Sequence, residues 1–251
     1  MKVAGIQCDL VWENREANLK RLRPLIEDAT TEGARIVLLP EMFPSGFSMQ
    51  TDEIAEDPDG TSAEFLHEVA RTTGSFVGGS FSCRVPGLPK PTNRFLIAGP
   101  AGEEVVYDKI HPFSYGGETE HYAAGDRVVS FEIDGAHFTP FVCYDLRFSD
   151  LFWNVAEATD CYTVVANWPS QRQSHWDDLL RARAIENQAY VIGVNRVGTG
   201  GGLDYVGGSV VYGPFGETVA QVGSEETTVS AEIDPAHVKE IRRRFPFIAD
   251  R

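Results

Sequence analysis

The chain has 251 residues, 42% of them apolar, and a formal charge of −15, which suits a globular protein with a sizeable core. Nucleic acid is excluded as a partner because phosphate binding needs clustered positive charge. A membrane span is not expected either, since no apolar run reaches the roughly 18 residues it requires. The N-terminus meets polar residues too early for a signal peptide, and the expected location is cytoplasmic. Cys8, Cys83, Cys143 and Cys161 are scattered without CxxC spacing, so free thiols are expected and not a disulfide framework or a zinc site.

MKVAGIQCDL reads as a first strand. From Asn14 to about Glu32, Leu22, Leu25, Ile26 and Ala29 fall at helical spacing, with Gly33 as the stop. RIVLLPE follows as a near-continuous apolar strand, the pattern of one buried on both faces. A second helix spans Thr61 to Thr73 and is closed by Gly74. Three short β segments fill Ser75 to Ile110, and a loop covers about 111–127. VVSFEI and HFTPFVCYD are the next strands. A short helix after Ser149 precedes CYTVVANWP, and Ser174 to Gln188 is helical. Four β segments then read as a meander, before Asp234 and Pro235 open a last helix as N-cap and first-turn residue. About a dozen strands form two packed sheets more easily than one open sheet. One α/β domain over 1–251 is expected.

Three apolar β segments each end in one reactive residue: RIVLLPE at Glu41, VVYDK at Lys109 and TPFVC at Cys143. Ligands of open α/β sheets bind beyond the carboxyl ends of strands, so the three can meet. Taken singly each has a plainer reading. A lone cysteine is commonly buried filler, Glu41 suits a solvated turn beside Pro40, and Lys109 suits the surface. A Cys–His dyad is left open by His111, although nothing pairs it uniquely with Cys143; His121, His175 and His237 lie in polar contexts. A metal-dependent phosphoesterase, the alternative from another class, would need Asp, His and Asn at the strand ends, where this chain has Glu, Lys and Cys. A binding protein without activity is the third reading.

LLPEMFPSGFSM, YDKIHPFSYGGETEHYAAGD, FVCYDLRF, NWPSQRQSHWDDLLRARAIENQAYVIGVNRVG and GGSVVYGPFGE together resemble the carbon–nitrogen hydrolases of the nitrilase superfamily. They look most like its bacterial ω-amidase branch, which acts on monoamides of 2-oxo-dicarboxylic acids. The resemblance runs over nearly the whole chain, with the motifs in family order. It implies a four-layer α-β-β-α sandwich of two packed sheets, commonly paired as a homodimer. It also implies a cofactor-free and metal-free site on which Glu41 is the base, Lys109 the lysine and Cys143 the nucleophile. A second glutamate is common after the lysine. Glu118 and Glu120 both stand there, and the spacing to Gly125-Asp126 favours Glu118.

On that resemblance a small-molecule amide is the expected substrate. The Tyr144 N–H joins Lys109 as an oxyanion donor. Arg147 and Arg172 are candidates to grip the distal carboxylate of an ω-amide, against the plainer reading of Arg147 as an ion-pair partner of Asp145 or Asp150. Asn167, at the strand end in NWPS, is a candidate to orient the pocket loops. Aliphatic amidase, nitrilase and N-carbamoyl amino acid hydrolase are the alternatives that share the same triad.

Overall fold

Lys2–Gln7 (β1) begins the first sheet in this computed structural model, which describes residues 1–250. Arg15–Thr31 (α1) follows, with the Asn14 side chain accepting from the Ala17 N–H at its N-terminus. Its Leu22 and Ile26 are fully buried, each contributing about 1.5–3 kcal/mol of apolar transfer. Ile36–Leu38 (β2) is buried on both faces: Ile36 and Leu38 join the core between the sheets and Val37 the core under the helices. Thr51–Ile54 (α2) is a single turn that the sequence reading did not include. Thr61–Thr73 (α3) ends at Gly74, whose φ of 75° is the left-handed cap expected there.

Phe76–Cys83 (β3), Thr92–Ala98 (β4) and Glu104–Asp108 (β5) complete that side of the sheet. The segment read as a loop at 111–127 contains a 3-10 turn at Ser114–Gly116 and the one-turn helix Glu118–His121 (α4). Phe131–Ile133 (β6) and Ala136–Val142 (β7) open the second sheet. A 3-10 turn at Cys143–Arg147, Ser149–Trp153 (α5), Cys161–Ala166 (β8), Gln173–Asn187 (α6) and Tyr190–Asn195 (β9) follow. The supposed meander then divides three ways. Val197–Gly200 (β10) and Leu203–Val206 (β11) form a separate hairpin, while Val210–Tyr212 (β12) and Thr218–Gln221 (β13) extend the second sheet. Thr227–Glu232 (β14) crosses to pair with β1. Pro235–Arg244 (α7) follows, with the Asp234 side chain capping Ala236 N–H, and a 3-10 turn at Phe247–Asp250 comes after it.

The sheets have the orders β14-β1-β2-β3-β4-β5 and β13-β12-β9-β8-β7-β6. Both show one succession of pairings. From β14 to β5 it is antiparallel, parallel, parallel, antiparallel, antiparallel, and from β6 to β13 it is the same. The carboxyl ends of β2 and β3 and those of β7 and β8 are therefore the natural places for a site.

α1 and α3 cover the outside of the first sheet, and α5 and α6 the outside of the second. The layers are close enough to demand glycine at two contacts. A Cβ on Gly5 would stand 2.5 Å from Val194 on the facing sheet, and one on Gly193 would collide with Leu180 and Trp176 of α6. Gly193→Ala is expected to overpack this contact and destabilise the fold by about 1–3 kcal/mol, read as a lowered urea midpoint with an unchanged m-value.

Candidate active site

Each of the three reactive residues lies just beyond a strand. Glu41 comes three residues after β2, Lys109 directly after β5, and Cys143 directly after β7. The structure brings them together. Lys109 Nζ donates to Glu41 Oε1 at 2.9 Å and to Glu118 Oε2 at 2.8 Å. All three charged groups are at most 1% exposed. Isolated ions at such depth cost several kcal/mol each, so each charge needs hydrogen-bond partners.

The partners are present. Asn93 Nδ2 donates to Glu41 Oε1 at 2.8 Å and to Glu118 Oε1 at 3.0 Å. Asn167 N–H donates to Glu41 Oε2 at 2.8 Å, and its side-chain amide donates to the Glu41 carbonyl. The Phe113 N–H donates to Glu118 Oε2. Between Glu118 and Glu120, geometry selects Glu118, because Glu120 is exposed.

Burial on its own would lower the Lys109 pKa, but Glu118 and Glu41 together outweigh it and hold the ammonium well above its ordinary value. Burial raises the Glu118 carboxyl above the usual range, against the pull of Lys109. At Cys143 burial comes first and Glu41 second, and they push the thiol well up despite Lys109. A thiol pushed in that direction needs a base to react.

Cys143 has a φ of 46°, a left-handed conformation that costs a non-glycine residue of order 1 kcal/mol or more. Asp145 holds that turn. Fully buried, it accepts from Val142 N–H at 3.1 Å, Tyr107 Oη–H at 2.8 Å and His111 N–H at 2.9 Å. It is thus an anchor and not an ion-pair partner of Arg147. His111 has no hydrogen bond to Cys143 and stacks on Phe148 with ring centroids 3.5 Å apart, so no Cys–His dyad forms.

Cys143 is partly exposed, in a cavity of about 580 Å³, a size suited to a small ligand. Tyr144, Arg147, Asn167 and Arg172 also line it. Tyr144 is in the first turn of the 3-10 helix, where leading N–H groups lack an intrahelical acceptor. Arg147 Nη2 hydrogen-bonds His175 Nδ1 at 3.1 Å, and the guanidinium lies over Trp168 at 5.0 Å. The Arg172 guanidinium lies over Phe113 at 5.4 Å. Neither arginine forms a salt bridge with a carboxylate among the described residues.

Asn93 was not foreseen. Its only sequence signal is a polar residue near the start of a buried strand, and its relevance depends on the register that sets Asn93 O to accept from Lys109 N–H at 3.0 Å.

A sandwich of two six-stranded sheets, with a thiol, a lysine and two carboxylates at one end, defines a hydrolase of carbon–nitrogen bonds. The chain belongs to the carbon–nitrogen hydrolase family, which matches residues 2–243, and so to the nitrilase superfamily. It is 39% identical to an omega-amidase, YafV, of Escherichia coli K12 over 98% of this chain and 94% of that protein. It is 32% identical to a 2-oxoglutaramate amidase of Bacillus subtilis over 99% and 96% of the two chains. A CN-hydrolase superfamily protein of Xanthomonas campestris, solved with an arsenic adduct in its active site, superposes with a TM-score of 0.95. It is 36% identical, with 100% of this chain and 97% of that one covered.

Asp145→Ala would strand three buried donors, each costing about 1–3 kcal/mol. A loss of at least about 3 kcal/mol is expected in denaturant unfolding, together with slower alkylation of Cys143.

Proposed function

We propose that this enzyme is an ω-amidase that hydrolyses the terminal amide of a small dicarboxylic or 2-oxo-dicarboxylic acid, such as 2-oxoglutaramate, to the acid and ammonia. The proposal extends to one hydrolase domain over 1–251, acting in the cytoplasm as a homodimer. The observation that carries the substrate reading is the cavity. Beside Cys143 it presents Arg147 and Arg172, two cations without carboxylate partners, and a carboxylate at the far end of an amide substrate would supply one. Relatives that bear ω-amidase and 2-oxoglutaramate amidase names support the same reading.

The chemistry follows from the positions. Glu41 takes the Cys143 thiol proton as sulfur attacks the amide carbon. The oxyanion is held by the Tyr144 N–H and by Lys109. An ammonium has three N–H bonds, and Lys109 spends two on Glu41 and Glu118, leaving one for the substrate. Protonated Glu41 passes its proton to the amide nitrogen, the C–N bond breaks, and ammonia leaves behind a thioester. Glu41 then takes a proton from water as the water oxygen attacks the thioester carbon. Collapse returns the proton to sulfur and releases the acid.

Ammonia release should be fastest from 2-oxoglutaramate or 2-oxosuccinamate, ahead of a nitrile, an N-carbamoyl amino acid and propionamide. Fast nitrile turnover with none of any ω-amide overturns the reading. Intact mass after brief incubation should show an acyl adduct on the wild type and none on Cys143→Ala. Arg147→Ala should raise KM for the carboxylate-bearing amides by about tenfold or more, from the loss of a charged hydrogen bond, and leave a neutral amide little changed.

A further inference from the structure

Asn93 is the second residue of β4 and is 1% exposed. The mechanism above gives it no part, yet it touches both glutamates. Its amide has two N–H bonds, and they go to Oε1 of Glu41 at 2.8 Å and Oε1 of Glu118 at 3.0 Å. Lys109 Nζ bridges the same two carboxylates from the other side. Glu41, Lys109, Glu118 and Asn93 thereby form a closed ring. Two carboxylates face one ammonium, and the ring is closed by a neutral double donor and not by a second cation. The amide orientation follows from the partners, since ionised carboxylates only accept; its Oδ1 has no hydrogen-bond partner.

The ring also distinguishes the two oxygens of Glu41. Oε1 accepts two hydrogen bonds, from Lys109 and Asn93, which fills its in-plane capacity. Oε2 accepts one, from the Asn167 N–H at 2.8 Å.

We propose that Asn93 is a positioning residue that holds both glutamates beside a single lysine and leaves Oε2 of Glu41 as the oxygen that takes the Cys143 proton. This rests on Glu41 being the base. The ionisable groups that act on Glu41 and Cys143 are Lys109 after β5, Glu118 on α4, and more distantly Tyr122 and Tyr205. None of them could replace the lost donor without moving.

The test is the pH dependence of two rates, alkylation of Cys143 by iodoacetamide and hydrolysis of 2-oxoglutaramate, in wild type, Asn93→Ala and Asn93→Ser, with melting temperatures for each. A donor to the ionised carboxylate favours that form. Asn93→Ala should therefore move the acid limb of both profiles up by about one pH unit and lower kcat about 10- to 100-fold, less than the roughly 10²–10⁴-fold attributed to a whole general base, with KM within about twofold. Asn93→Ser keeps one hydroxyl donor and should shift less; it also serves if the alanine variant fails to fold. Unchanged acid limbs in the folded variants overturn the proposal, even if activity falls. Alkylation needs no amide substrate. A shifted alkylation profile in an enzyme that ignores every ω-amide would therefore sustain Asn93 and overturn only the substrate reading.

Discussion

The ion ring around Lys109 is the constraint on which the rest of this site depends. Three ionisable side chains lie where water scarcely reaches, and such a group persists only if each charge is met at hydrogen-bond distance. Lys109 supplies the one positive charge, Glu41 and Glu118 share it, and amides and backbone N–H groups donate to their oxygens as well. Removing the ammonium would leave two buried carboxylates facing each other, so the ring is as much a requirement of folding as of chemistry.

The ring and the thiol come from different sheets. Glu41, Asn93, Lys109 and Glu118 all belong to the first sheet and its loops, whereas Cys143 and Asn167 follow β7 and β8 of the second. The approach of the proposed base to its nucleophile is therefore set by how the sheets pack. Two polar links hold that packing near the site: Asn167 to Glu41, and Tyr107 with His111 to Asp145. Gly5 lets the sheets approach further along. A change in packing at the core would thus reach the chemistry through the separation of sulfur and carboxylate.

Much of this could be read from the chain. Periodicity and caps located α1, α3 and α7, and near-continuous apolar runs marked β2 and β8 as buried strands, because local hydrogen bonding and burial leave their signature in adjacent residues. Three strand ends carrying Glu41, Lys109 and Cys143 were visible for the same reason. The route of the C-terminal meander was not. β10–β11, β12–β13 and β14 look alike in sequence, and only long-range pairing sends β14 to β1 and the others elsewhere. The part of Asp145 was also hidden, since an acid two residues from a cysteine looks like a surface ion-pair partner until Tyr107 and His111 are brought to it.

By itself, the sequence determined which elements form, which residues stand at their ends, and which chemical groups are available: a thiol, a lysine, acids and two candidate arginines. Tertiary structure alone decided that Glu118, which spacing only favoured over Glu120, closes a ring with Lys109 and Glu41, that Asn93 joins it, and that Arg147 and Arg172 face a cavity without carboxylate partners. The reason is physical. Residue type and spacing act over a few positions along the chain, whereas the partners of a buried charge are chosen by strand register and by the approach of one sheet to another.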